Sequence, residues 1–129
     1  RRGAPAAVTT GGAPWPVELR YRRATRALEV DFEDGRTIVL PAELLRVESP
    51  SAEVRGHGPG QKQIVAGKRH VGIARIEPVG NYAARLVFDD GHDSGLYTWR
   101  YLAELGATQE KVFADYLAAL AAEGLGREP

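Results

Sequence analysis

The residues best equipped for chemistry in this chain are a histidine and the acids beside it. His92 lies between Asp90 and Asp93, and His57 could join them. Imidazole plus carboxylate makes an oxygen–nitrogen ligand set that suits iron, zinc or manganese, with an open position for water or a partner. The competing reading is plainer: Asp90-Gly91-His92 is a turn, and its imidazole packs or hydrogen-bonds locally. A second candidate is the loop Arg55-Gly56-His57-Gly58-Pro59-Gly60-Gln61-Lys62. It is not a phosphate loop, because Gln61 and Gln63 stand where Gly and Ser or Thr must flank the lysine. Its glycines could still expose amides to an anion, helped by Arg55, Lys62, Lys68 and Arg69; the alternative is a solvated loop that needs glycine for its backbone angles. Ser94 has glycine on one side only, so it forms no nucleophile elbow. Tyr97 and Tyr101 are candidate docking aromatics near His92, and Trp99 reads as core.

Composition narrows the classes. The chain has 129 residues, 17 basic and 17 acidic side chains, and neither cysteine nor methionine. Without cysteine there is no disulfide, no thiolate catalysis and no cysteine-held iron–sulfur or zinc site within this chain. Zero net charge argues against nucleic acid as the partner, and Arg20, Arg22, Arg23 and Arg26 read as the polar face of an exposed hairpin. No apolar run reaches the ~20 residues of a membrane span. Arg1-Arg2 is not followed by an apolar stretch, so no intact signal peptide opens the chain, and a cytoplasmic protein is expected. The missing methionine implies a chain that is processed, trimmed or cut from something longer.

These residues must be positioned by short elements. Residues 1–14 hold almost nothing large and apolar, and read as a disordered tail. From Trp15, alternation predicts strands at Val17–Tyr21, Leu28–Phe32 and Thr37–Leu40, with a hairpin turn at Asp34-Gly35. One helical turn follows at Pro41–Arg46. Strand character returns at Val71–Ile76 and Tyr82–Phe88. Leu96–Leu105 reads as a helix stopped by Gly106, and Thr108 as the cap of a final helix over 107–124 with Val112, Phe113, Tyr116, Leu117 and Leu120 on one stripe. Residues 125–129 are expected to fray. No internal repeat is evident. The fold class is α+β: a small antiparallel domain over 15–106, with two groups of short strands and helices at the C-terminal end.

Two stretches, Ser49-Pro50-Ser51-Ala52-Glu53-Val54-Arg55-Gly56-His57-Gly58-Pro59-Gly60 and Phe88-Asp89-Asp90-Gly91-His92-Asp93-Ser94-Gly95-Leu96-Tyr97-Thr98-Trp99, resemble the bacterial γ-butyrobetaine hydroxylase-like N-terminal domain family. Ile76-Glu77-Pro78-Val79-Gly80-Asn81-Tyr82 fits it as well. In the hydroxylases this domain precedes an iron- and 2-oxoglutarate-dependent oxygenase and holds a structural zinc through three cysteines and a histidine. The resemblance places His92 at the zinc histidine, and Ser49, Ser51 and Val54 where the thiolates would be. Hydroxyls and a valine cannot replace thiolates at tetrahedral zinc, so the family's zinc site is expected to be lost. The oxygenase has no room in this chain. Small stand-alone members have no assigned activity. Fusion of related domains to iron–sulfur carrier ATPases in plants implies a place beside iron or iron–sulfur enzymes. The expectation is therefore a non-catalytic module that binds a protein partner through the His57 loop and the His92–Trp99 edge. The alternatives are an iron- or zinc-binding domain, a small metal-dependent enzyme, and a structural subunit or fragment.

Overall fold

The computed structural model describes residues 15–56 and 62–129, so the expected tail at 1–14 and the centre of the glycine loop lie outside the described residues. Strands β1 (Pro16–Arg22), β2 (Ala27–Phe32) and β3 (Thr37–Pro41) form one antiparallel sheet with β2 central. Helices α1 (Ala42–Val47) and α2 (Ala52–Arg55) follow. Strands β4 (Ile73–Val79), β5 (Ala83–Phe88) and β6 (Leu96–Thr98) form a second sheet with β5 central, and α3 (Trp99–Ala122) closes the chain. The α+β architecture with two small antiparallel sheets is the one the alternation implied.

The two sheets are built alike, which the sequence reading missed. β2 and β5 share one burial pattern, and each ends in a phenylalanine followed by two acids and a glycine. In both turns the glycine amide bonds the phenylalanine carbonyl, at Gly35 and Gly91, and the phenylalanine amide bonds a carbonyl four residues on, at Arg36 and His92. Both glycines have positive φ, +92° and +93°, a conformation that a side chain would strain. Asp34 and Asp90 each accept the amide two residues ahead at 3.0 Å. A βββα unit thus occurs twice, legible as Phe-Glu-Asp-Gly and Phe-Asp-Asp-Gly.

Alternation puts Leu28, Val30 and Phe32 of β2 and Leu86 and Phe88 of β5 into one core with Leu40, Leu44, Leu45, Tyr97, Leu102 and Leu105. The C-terminal end departs from expectation. Leu96–Thr98 is strand, not helix, and the helix begins at Trp99, with Thr98 capping the Tyr101 amide at 3.0 Å. Gly106 does not stop it. A Cβ there would lie 2.8 Å from Ile38 Cδ1, so Gly106 is the point where α3 presses on β3. Thr108 caps nothing; its hydroxyl donates to the Glu104 carbonyl one turn back, so the division at 106/107 disappears inside one helix.

The far half of α3 leaves the sheets. Tyr116 and Leu120 pack with Val47, against Val65, Ala66 and Phe113. Residues expected to fray are tied down: the Gly67 and Arg69 amides donate to the Gly126 and Arg127 carbonyls, and Arg127 grips the buried Glu43 at 2.7 and 2.9 Å. Of the expected stripe, Leu120 is 3% exposed but Leu117 is 38% exposed. Leu120→Ala should therefore cost about 2–5 kcal/mol in chemical denaturation. Leu117→Ala should stay within about 0.5 kcal/mol of the parent.

Candidate functional site

The candidate site forms around the connector Glu48–Ser51 between α1 and α2. Glu48, Ser49 and Ser51 are buried, and a buried turn must find partners for its backbone groups. Arg55 supplies two, donating to the Ser49 carbonyl at 3.2 Å and the Glu48 carbonyl at 3.1 Å. The Tyr101 hydroxyl donates to the same Glu48 carbonyl, and the Tyr97 hydroxyl to Leu45. Ser51 caps α2 through the Glu53 amide.

His92 enters from the repeated turn and meets this connector. Its Nε2 is 2.9 Å from Ser49 Oγ and its Nδ1 is 3.1 Å from Glu53 Oε1. A carboxylate only accepts, so Nδ1 carries the proton and Nε2 accepts from the Ser49 hydroxyl. Alongside, Ser51 Oγ and Ser94 Oγ are 2.6 Å apart. Gly95 is required by this closeness: a Cβ there would sit 2.4 Å from Ser49 Oγ.

The order serine, histidine, carboxylate is the one that activates a nucleophile. Here it has no outlet. Ser49 is 0% exposed, and its Oγ already receives the Ser51 amide at 3.2 Å, so no substrate carbonyl can reach it. Sequence reading missed Ser49 and Glu53 as partners of His92, because they lie 43 and 39 residues away. The one local signal was Ser51, an N-cap residue type that marks a helix start and places Glu53 in its first turn.

The other expected ligands point elsewhere. Asp90 faces Arg46 at 2.7 Å and Lys68 at 2.6 Å. Burial alone would raise its pKa, but the hydrogen bonds from Lys68, the His92 amide and Arg46 outweigh that and bring it down to about 2. Asp93 is exposed; its carboxylate lies 3.6 Å from Arg85 Nη1, which also donates to the Asp93 backbone carbonyl at 3.2 Å. Among the described residues no group of three or more histidines and acids could hold a metal; His57, Gly58 and Gly60 lie outside them.

Other assignments need correcting. Tyr97 is no docking residue: it is fully buried, and burial pushes its hydroxyl pKa up. Tyr101 is half-buried against Glu48 and Arg55. Of the loop cations, Lys62 is held by the buried Glu48 at 2.6 Å and Arg55 by the connector, while Lys68 goes to Asp90 and Arg69 to Glu128 at 2.9 Å. Gly56 ends α2 with φ +74°. Trp99, expected in the core, packs at its margin and donates Nε1–H to the Asn81 carbonyl at 2.9 Å. Arg20 is spent on Glu18, Glu29 and Asp31, as an exposed polar face requires.

The zinc set implied by the resemblance falls on this connector and the loop after β5. Ser49 lies against His92 and Ser51 against Ser94, but hydroxyls and the buried Val54 do not fit zinc. Ser49→Cys, Ser51→Cys and Val54→Cys together should create a site that takes up one zinc with His92, measured by metal analysis. A folded triple variant without zinc would break the residue-by-residue match.

The imidazole also sets a pH dependence. Burial depresses the His92 pKa below 6.5, Arg46 adds to this, and Glu53 and Asp90 oppose it. The unfolded chain therefore takes up the proton first as pH falls. The stabilisation is complete above about pH 6.5 and is lost as pH drops toward the folded value. Denaturation of the parent should show stability declining as pH falls below about 6.5, with a shallower decline in His92→Gln.

Comparison with known proteins agrees with this architecture. An NMR solution structure 48% identical in sequence superposes with a TM-score of 0.81, covering 93% of this chain and 89% of its own. A second NMR structure gives 47% identity and a TM-score of 0.79, with 92% and 93% covered. A crystal structure of a protein of unknown function, of the DUF971 family of Acidithiobacillus ferrooxidans, gives 46% and 0.61, covering 71% of this chain and 92% of its own. No curated protein matches. The family model for the gamma-butyrobetaine hydroxylase-like N-terminal domain matches residues 19–103, which span both sheets, the Ser49–His92 cluster and the start of α3, and the chain belongs to that family.

Proposed function

We propose that the chain is a non-catalytic module that docks a protein partner, in the cytoplasm and beside an iron or iron–sulfur enzyme. The observation that carries this is an open groove of about 420 Å³ between residues 62–64 and the far half of α3. Its apolar lining comes from Val47, Ile64, Val112, Tyr116 and Ala119, and its polar lining from Glu48, Lys62, Gln63 and Asp115. Apolar area edged by polar groups is how docking surfaces are made. Meanwhile the groups best suited to catalysis are engaged internally. Use as a metal site would require His92 to leave Ser49 and Glu53, and Asp90 to leave two cations.

The occupant that fits is a protein segment with an apolar anchor and uncharged polar neighbours. Lys62 already neutralises Glu48, and Asp115 is paired with Lys111. The iron or iron–sulfur association rests on family resemblance alone. The test begins with a protein that copurifies with the tagged chain, identified by mass spectrometry and then purified. Its affinity is measured by calorimetry for the parent and for Ala119→Trp, which fills the groove from a half-buried position on α3, with circular dichroism checking that the variant is folded. The substitution should weaken binding at least about tenfold, the loss of one well-placed anchor. Equal affinity would remove the groove from the reading.

A further inference from the structure

The outer edge of β1, unpaired among the described residues, carries a self-complementary pattern. In β2, the Phe32 amide bonds the Arg36 carbonyl and the Arg26 carbonyl receives the Ala42 amide, both at 2.8 Å, so even-numbered residues turn their backbone toward β3. Direction alternates along a strand, so Ala27, Glu29 and Asp31 face β1, opposite Arg22, Arg20 and Glu18. Leu19 and Tyr21 then direct their amides and carbonyls away from the sheet. Among the described strands β1 pairs with β2 alone.

The other edges are blunted. β3 ends in Pro41 and gives its Val39 carbonyl to Gln109 at 3.1 Å. β4 carries a register break between Ile73 and Arg75 and a proline at 78; β6 has three residues. β1 has a register break between Pro16 and Glu18, but from Glu18 to Arg22 its pairing is regular. Trp15 and Val17, 47% and 68% exposed, sit at the same end. These are large apolar side chains beside unpaired backbone.

We propose that β1 pairs antiparallel with β1 of a second copy of this chain, centred on Leu19, so that two sheets become one. Two registers satisfy the outward backbone groups. Pairing Leu19 with Tyr21 would set Arg20 opposite Arg20, a like-charge contact that destabilises. Pairing Leu19 with Leu19 sets Glu18 of each copy opposite Arg20 of the other on the polar face. The charges select this second register. The inference is independent of the groove at α3.

Sedimentation equilibrium of the full chain, from micromolar to millimolar concentration, tests it. The parent should show a reversible dimer. Glu18→Lys sets a lysine opposite Arg20 at both ends of the pair and should raise the dissociation constant about tenfold. Leu19→Pro removes an amide that points away from β2, and should abolish the dimer. Circular dichroism checks that each variant is folded, and Glu18→Lys decides alone if the proline variant is not. A parent that stays monomeric throughout would overturn the proposal, as would a dimer equally tight in folded variants.

Discussion

The structure depends on satisfying one buried turn. Glu48–Ser51 joins two short helices inside the protein, where an unpaired carbonyl or amide would cost about 1–3 kcal/mol. Its partners come from three later parts of the chain. Arg55 follows in sequence, His92 and Ser94 come from the loop after β5, and Tyr101 comes from the start of α3, while Tyr97 of β6 ties the preceding helix at Leu45. The connector is thus the point at which the second sheet and the long helix are locked against α1. Gly95 shows how tight the lock is, since even a methyl group there would displace Ser49.

Repetition explains how the site arises. Both sheets end their central strand in the same acid-acid-glycine turn, and Asp34 and Asp90 perform the same backbone task. They differ in what the second carboxylate oxygen does. Asp34 uses it on Arg36 in its own turn, at the surface. Asp90 turns it to Arg46 and Lys68, which lie on other elements. The residue after the glycine differs too: Arg36 is exposed, whereas His92 is driven into the connector. One turn ends a hairpin, and its counterpart cross-links the domain.

On the proposed reading, that cross-link is a scaffold and the open surfaces are where partners meet the protein. A relay from serine through histidine to carboxylate looks catalytic when read as a list of atoms. Reactivity also needs access, and Ser49 has none. The proposed docking groove beside α3 and the unpaired edge of β1 have the opposite character, with apolar groups left in water. Family membership is compatible with this but assigns no activity.

By itself the sequence determined the local and periodic features. Alternation placed β2 and β5, Asp34-Gly35 marked the hairpin, and the long motifs around Ser49 and His92 identified the family. These signals are legible because they reside in neighbouring residues and in a period of two. Tertiary structure decided the rest. Gly106 lies inside a helix because Ile38 needs the space, and Thr98 rather than Thr108 begins it because Leu96–Thr98 pairs with β5. The same holds for the candidate site. Proximity of His92, Asp90 and Asp93 along the chain suggested one ligand set, yet each found a different partner: Ser49 and Glu53, Arg46 and Lys68, and Arg85. Side chains adjacent in a turn diverge by geometry, and which distant group meets each one is set by how the two sheets and the helices pack.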